Sequence, residues 1–349
     1  MTWNGLRGDR NDINLQKSGD ELITKVADGC GGGQGSTIVV VHAVGPVVME
    51  KWISHPNIKA VIMASLPGQE SGNAITDILL GVVNPSGKLP YTIGKSLDDY
   101  GPGAKVMYYP NGAIPQQTYS EGLYIDYRYF DKNGIEPRYE FGYGLSYTTF
   151  EYSDLVITPI LPKSPLPAPR ADTGVKAPSY SSEIPNPSEA LAPTGFTKLA
   201  KFVYPYITSI SDIKKGAYPY PSGYDTVQMP SQAGGDEGGN PDLWLTYVNV
   251  SLSVKNTGSI AGKEVVQVYV SYEDVQGDAK NVDFPVKVLR QFEKIFIEGG
   301  KSEIVSFNLT RRDLSYWDIV RQNWVMPSEG KITIRVGSSS RDLRLTGLF

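Results

Sequence analysis

The chain has 349 residues, and its 40% hydrophobic content is enough for folded cores, which excludes global disorder. The length suits two domains better than one. The formal net charge is −4 and no basic block is present, so we expect no nucleic-acid partner. No apolar run approaches the ~20 residues that a membrane-spanning helix needs, and we therefore expect no membrane partner.

Residues 1–153 alternate helical and strand patterns. The predicted elements are a helix over 20–27 capped by Ser18 or Asp20, a strand over 37–41, a helix over 46–52 and a strand over 60–64. A further helix, capped by Ser71 or Asn73, runs through Leu80 and is closed by Gly81. The continuous apolar runs of the two strands indicate burial on both faces. This alternation predicts a parallel, layered α/β sheet.

Residues 154–242 begin rich in proline and end rich in glycine. Such a composition cannot bury enough apolar surface to define a core, so we expect an extended or mobile insertion. The middle of the insertion differs, because aromatic and aliphatic residues between Phe196 and Tyr220 indicate a patch anchored on another surface.

Residues 243–349 show the period-two alternation and regular turns of an all-β domain. The expected strands are 247–254, 264–272, 286–297, 303–309 and 330–336. Short strands at this spacing predict a sandwich of immunoglobulin-like type. The predicted fold class is therefore an α/β layered sandwich followed by an all-β sandwich.

Two features of the first region invite a ligand-binding interpretation that the residues do not support. The glycines of 30–36 precede a strand and no lysine follows them, unlike a phosphate-binding loop. The single cysteine, Cys30, cannot form an internal disulfide, and we expect an unpaired or buried structural thiol. His42 and His55 alone make no metal site.

Several motifs resemble glycoside hydrolase family 3, in particular its secreted fungal β-glucosidases. The segments 67–73 and 84–91, together with 141–150, resemble the second domain of that family. The turn over 255–258 resembles one in the fibronectin type III-like domain that ends many of its members. The resemblance implies three regions: a family 3 C-terminal domain over 1–153, the insertion over 154–242, and a fibronectin type III-like domain over 243–349.

The resemblance also implies a reaction, the retaining hydrolysis of terminal, non-reducing β-D-glucosyl residues without metal or cofactor. In the family, the nucleophilic aspartate lies in an N-terminal barrel, and the acid/base glutamate precedes a Gly-Asp-Arg segment like Gly8-Asp9-Arg10. No glutamate precedes Gly8 here. We therefore expect no catalytic residue in this chain and no activity of the chain alone. The parent enzyme would be extracellular, and the lack of a signal peptide at Met1 fits truncation.

Three individual side chains remain candidates for function. Glu70 follows a strand and precedes a helix, where α/β sheets place ligand groups, and it is the weak catalytic candidate. The alternative is that Glu70 supports the helix N-terminus. Asn249 and Asn308 begin N-glycosylation acceptor tripeptides, which require side chains that face solvent.

Acidic residues lie among the aromatic residues of 119–131, and two interpretations of this segment stay open. The aromatic side chains could form a sugar platform, or they could be strand residues that pack against the sandwich. The acidic and aromatic residues are Glu121, Asp126, Asp131, Tyr119, Tyr124, Tyr127, Tyr129 and Phe130.

Two alternative functions stay open beside the truncated β-glucosidase. The first is a non-catalytic accessory protein that binds glucans through the patch over 196–220. The second keeps the family but changes the substrate to β-xylosides or saponins. Truncation has a further consequence: a surface that would pack on the barrel meets water here, and we expect self-association through it.

Overall fold

The computed structural model describes residues 12–104, 118–169 and 240–349. Three sequence predictions lie outside these residues: the role of Gly8-Asp9-Arg10, the anchored patch over 196–220, and the glycine-rich end of the insertion. Among the described residues, no helix is both long and apolar enough to cross a membrane.

The α/β part contains three helices and a parallel pair of strands. Its elements are α1 (Gly19–Gly29), β1 (Thr37–Val41), β2 (Ile58–Met63), α2 (Ser71–Leu79) and α3 (Tyr127–Lys132). Strands β1 and β2 are parallel, with Val39 opposite Val61. One face of the pair packs on a core that includes Val47, Met49, Trp52 and Ile93.

Burial of both strands on two faces was predicted, and this is wrong. Ile38 on β1 is 50% exposed, and only Val39 and Val41 of that strand are buried. Helix α2 buries no residue, so it does not cover the second face of the pair. The apolar composition of the strands thus overstates their burial.

The predicted helix over 46–52 is also wrong. The segment lacks helical structure until a turn in which the amide groups of Trp52 and Ile53 donate to the Met49 carbonyl. The amide of Val48 donates instead to the Ile13 carbonyl, 2.9 Å away, in a distant segment. Tertiary pairing and the burial of Val47 therefore replace helical periodicity.

The helix caps differ from those predicted. Ser18 has the N-cap position of α1, but its φ of 56° is left-handed and its hydroxyl makes no capping bond. The carboxylate of Asp20 is buried and accepts hydrogen bonds from Trp52 Nε1 (3.0 Å) and Lys51 Nζ (2.9 Å). At α2 the N-cap is Glu70, neither Ser71 nor Asn73.

The β sandwich has a three-stranded and a four-stranded sheet, in the orders β3-β4-β7 and β11-β10-β5-β6. The strands are β3 (Phe150–Pro159), β4 (Thr246–Asn256), β5 (Gly262–Glu273), β6 (Val288–Ile297), β7 (Ser302–Thr310), β10 (Lys331–Gly337) and β11 (Leu343–Leu348), beside a hairpin of β8 (Tyr316–Asp318) and β9 (Asn323–Val325). All five predicted strands are present, and the predicted fold class is confirmed.

Strands β3, β8, β9 and β11 were not predicted. Strand β3 crosses the expected boundary between residues 153 and 154 and pairs antiparallel with β4. Its Tyr152 is buried in the sandwich core, which is lined by valine, leucine and isoleucine side chains of both sheets. The sandwich thus includes β3, a strand that is separated from the other strands by a long stretch of sequence.

A buried arginine joins the two ends of the insertion. Arg311 is 1% exposed, and its guanidinium bonds the Ser164 carbonyl (2.9 Å), Tyr247 Oη (2.6 Å) and Asp242 Oδ2 (2.9 Å). Asp242 Oδ2 also accepts from the amide of Ala168. The chain therefore leaves and re-enters the sandwich at one point, held by a charge-assisted network.

Candidate functional site

Glu70 lies on an exposed turn between β2 and α2. Its carboxylate accepts a hydrogen bond from Asn73 Nδ2 at 2.6 Å, and its carbonyl accepts from the amide of Ala74 at 2.9 Å. A carboxylate at a helix N-terminus is favoured by the helix dipole. These contacts fit the interpretation that Glu70 supports the start of α2, and a catalytic role for it stays a prediction.

The segment over 119–131 packs against the sandwich. Asp126 caps α3: its carboxylate accepts from the amide of Tyr127 (2.6 Å) and from the amide and hydroxyl groups of Thr92. Tyr127 and Phe130 are buried, and Tyr127 Oη accepts from the amide of Leu289 on β6. The packing alternative is therefore correct for Tyr127, although it lies on a helix rather than a strand, whereas the ring of Phe130 packs on Tyr100 of the α/β part.

Two lysine–aspartate pairs, one of them with Arg341 beside it, connect residues 131 and 132 to the sandwich. Asp131 Oδ2 lies 2.5 Å from Lys287 Nζ, and both side chains are more than nine-tenths buried. Arg341 Nη2 lies 3.6 Å from the other carboxylate oxygen of Asp131. Lys132 and Asp283 form a second, exposed pair at 2.7 Å. Sequence reasoning missed these pairs, because their partners are about 150 residues apart and only folding brings them together.

The signature segments 84–91 and 141–150 contact each other directly. Asn84 Oδ1 accepts from Ser146 Oγ (2.9 Å) and the amide of Tyr147 (2.8 Å). Lys88 Nζ donates to the Gly144 carbonyl at 2.9 Å. A Cβ on Gly144 would overlap the Gly87 carbonyl, so this approach of two backbones requires glycine. We call these two segments and the sandwich residues that they contact the seam.

The seam reaches the sandwich at several points. Asn84 Nδ2 donates to the Ala261 carbonyl at 3.1 Å. Gln267 Nε2 on β5 donates to the carbonyls of Gly142 (3.2 Å) and Ser338 (2.6 Å), and is buried. Gly142 has φ 81°, and a Cβ there would overlap the Gln267 amide. The segment 141–147 thus seats the α/β part on the sandwich.

A buried carboxylate completes the seam. Glu264 is 3% exposed and accepts from Tyr152 Oη at 2.9 Å, while Lys88 Nζ lies 3.5 Å away. Burial raises the pKa of Tyr152, and the charge of Glu264 raises it further. The phenol therefore stays protonated and donates to the carboxylate. This arrangement is a structural ion network rather than a pair of free catalytic carboxylates.

The remaining polar residues of the α/β part make structural contacts. His55 Nε2 lies 3.0 Å from Asp28 Oδ1, and its Nδ1 accepts from the amide of Asn57. The thiol of Cys30 is half-buried and unpaired, and lies 3.6 Å from the Ser36 carbonyl. Within residues 12–104, 118–169 and 240–349, no group of three His, Cys, Asp or Glu side chains could hold a metal ion.

Comparison with protein families gives two matches. Residues 2–147 match the glycosyl hydrolase family 3 C-terminal domain, and residues 264–340 match the fibronectin type III-like domain. The chain contains a family 3 C-terminal domain. The resemblance inferred from the signature segments is therefore confirmed, and the signature segments 84–91 and 141–147 lie within the first match.

The curated relatives that the chain matches are fungal β-glucosidases. It is 54% identical to the probable β-glucosidase E of Aspergillus fumigatus over 99% of its own length and 33% of the relative. It is 42% identical to β-glucosidase 1 of Aspergillus aculeatus over 99% of its length and 40% of that protein. The chain thus spans between a third and two fifths of the length of these curated relatives.

Two solved structures of fungal enzymes share the fold. The β-glucosidase of Chaetomium thermophilum has a TM-score of 0.76 and 40% identity, with 100% of this chain and 42% of that chain covered. The β-D-glucoside glucohydrolase of Trichoderma reesei has a TM-score of 0.71 and 35% identity, with 100% and 38% covered.

The two predicted glycan acceptors of the chain face each other across β4 and β7. Asn249 Nδ2 donates to Asn308 Oδ1 at 2.9 Å. Asn308 is exposed on β7, an edge strand of its sheet, whereas Asn249 is half-buried on the central strand β4. Glycosylation of either residue stays a prediction, but the surroundings of the two side chains are unequal.

Proposed function

We propose that this chain is the C-terminal part of a secreted β-glucosidase that removes terminal, non-reducing β-D-glucosyl residues with retention, in the breakdown of cellulose and other β-glucans. The observation that carries this proposal is 54% identity over 99% of the chain to a probable β-glucosidase. The names of the relatives favour this substrate over β-xylosides or saponins. In this proposal, residues 1–153, 154–242 and 243–349 are the family 3 domain, the insertion and the fibronectin-like domain.

The proposal includes the inactivity of the chain on its own. A retaining glycosidase needs two carboxyl groups about 5–5.5 Å apart, one as nucleophile and one as acid/base. The carboxylates at the signature segments already have structural partners, since Glu70 bonds Asn73 and Glu264 bonds Tyr152. The resemblance places both catalytic groups outside the positions that this chain matches. In this proposal the contribution of the chain is structural, because its contacts hold the family 3 domain on the sandwich.

The proposal also includes self-association through exposed apolar surface. Leu66, Leu80 and Val82, before and after α2, are each about 70% exposed. Exposed apolar side chains promote association when nothing covers them. Sedimentation of the preparation used for the assay below checks this point, and a monodisperse monomer would contradict it.

Hydrolysis of p-nitrophenyl β-D-glucoside by the purified chain tests the proposed inactivity. We expect no turnover from protein that unfolds cooperatively on heating. The Aspergillus aculeatus β-glucosidase serves as the active control. Turnover that survives repurification would contradict the proposal.

Two variants then identify the source of any turnover. Glu70→Gln removes the weak candidate carboxylate, and Glu293→Gln removes an exposed carboxylate of the sandwich as the matched control. Loss of turnover in Glu70→Gln alone would give this chain a catalytic residue of its own. Equal turnover in both would direct the search to other carboxylates.

A further inference from the structure

Three of the five tryptophans of the chain lie together at one end of the sandwich. Trp317 and Trp324 face each other across the β8–β9 hairpin, with ring centroids 5.7 Å apart and an edge-to-face angle of 72°. The Arg312 guanidinium lies 5.1 Å from the Trp324 ring and 5.4 Å from the Trp244 ring. We call Trp244, Trp317, Trp324 and Arg312 the tryptophan patch.

Two tryptophans of the patch are exposed although their side chains are large and apolar. Trp244 is 49% exposed and Trp317 is 39% exposed, and the neighbouring Val320 is 88% exposed. Tryptophan is highly buried on average, so two exposed indoles beside further apolar surface need an explanation. Exposed apolar patches of this kind mark binding surfaces.

The backbone that carries the patch is held rigidly. Trp244 ends the turn Pro241–Trp244, whose Asp242 bonds the buried Arg311 at 2.9 Å. At the hairpin, Asp318 accepts from the amides of Val320 and Arg321 and from the Arg321 guanidinium. The indoles are therefore presented in place before a ligand arrives, which lowers the entropic cost of binding.

The chemistry of the patch fits an uncharged, ring-shaped ligand with flat faces. An indole offers a flat apolar face and one N–H donor, and a guanidinium offers donors but no acceptor. A β-linked glucosyl ring has C–H groups on its faces and hydroxyl groups around its rim, so it can stack on an indole and accept from Arg312. Nucleic acid is disfavoured, because the net charge is −4 and the neighbouring Arg321 is paired with Asp318.

We propose that the tryptophan patch binds a β-glucan chain, with Trp244 and Trp317 stacking on separate glucosyl units and Arg312 donating to hydroxyl groups between them. The choice of glucan rests on the proposed function, since relatives of the chain are β-glucosidases. The patch contributes affinity for the polymer and takes no part in bond cleavage. Binding is therefore measured without any turnover.

Isothermal titration of the full chain with cellohexaose, together with intrinsic tryptophan fluorescence, tests the proposal. We expect saturable binding with a change in tryptophan emission, and no binding of an α-linked glucan such as pullulan. Trp244→Ala and Trp317→Ala should each weaken binding by about tenfold or more, as truncated aromatic anchors do. Trp244→Tyr keeps an aromatic face and should retain most of the affinity. Phe296→Ala removes another exposed aromatic ring and should leave the affinity unchanged.

Several outcomes would overturn the proposal. No saturable binding by folded chain would do so, as would equal affinities for the wild type and both alanine variants. If the chain dimerises and Trp244→Ala abolishes the dimer without any glucan binding, the patch is a self-association surface. Hydrolysis by the isolated chain would contradict the proposed function and leave the binding result standing.

Discussion

At the scale of single residues, the surroundings of an asparagine, rather than the acceptor tripeptide alone, decide whether it can carry a glycan. The Nδ2 group of Asn249 points at the Asn308 side chain, so a sugar there would crowd its neighbour. Asn308 uses its oxygen in that bond, and its side chain is exposed on an edge strand.

We expect Asn308 to carry a glycan and Asn249 to carry none when the chain is secreted by a fungal host. Mass spectrometry of the intact protein should show a loss of glycan mass in Asn308→Gln. Ser251→Ala destroys the first acceptor tripeptide but keeps the bond between the two asparagines, and it should leave the mass of the glycan unchanged. Loss of glycan in Ser251→Ala alone would reverse the assignment.

At the scale of elements, α3 is fixed on the sandwich by two neighbouring lysine pairs that differ in burial. Lys287 and Asp131 are both buried, whereas Lys132 and Asp283 are exposed. Breaking a buried pair leaves an uncompensated charge, but exposed pairs contribute little because water and salt screen them.

We expect Lys287→Met to lower the free energy of unfolding by about 2–3 kcal/mol, the lower part of the usual range, because Arg341 still lies 3.6 Å from Asp131. Lys132→Met removes a lysine from the exposed pair and should have a much smaller effect. Urea denaturation followed by fluorescence measures both. Equal effects would mean that the buried pair does not fix α3.

At the scale of the whole molecule, carboxylates paired with cations set the response to acid. The pKa of Asp342 is lowered by its hydrogen bond from Arg344, and the pKa of Glu50 by its hydrogen bond from Arg138. A carboxyl group with a lowered pKa stabilises the fold above its unfolded pKa, near 4, and loses that contribution as the pH falls through its folded pKa.

We expect the melting temperature to be nearly constant above about pH 5 and to fall below about pH 4. Differential scanning calorimetry between pH 3 and pH 7 measures this profile. Asp342→Asn should lower the melting temperature at pH 7 and flatten the decline in acid, since one linked group is removed. A profile of Asp342→Asn parallel to that of the wild type would rule out a contribution from this carboxylate.

The sequence by itself determined the elements that depend on neighbouring residues. Period-two alternation located β4, β5, β6, β7 and β10, and the apolar runs located β1 and β2. The signature segments identified the family, and the left-handed φ of Gly142 is a local backbone requirement that such a motif records. The sequence also placed Glu70 correctly before a helix, because the start of a helix is marked by residues that are neighbours in the chain.

Only the tertiary structure decided what those elements contact. Residues 46–52 do not form the expected helix, because the Val48 amide donates to the carbonyl of Ile13 in a distant segment. It brought Lys287 to Asp131 and three tryptophans to one surface, across separations that carry no sequence pattern. Hydrogen bonds, ion pairs and stacking act over a few ångströms in space, so residues distant in the chain leave no periodic signal of their meeting.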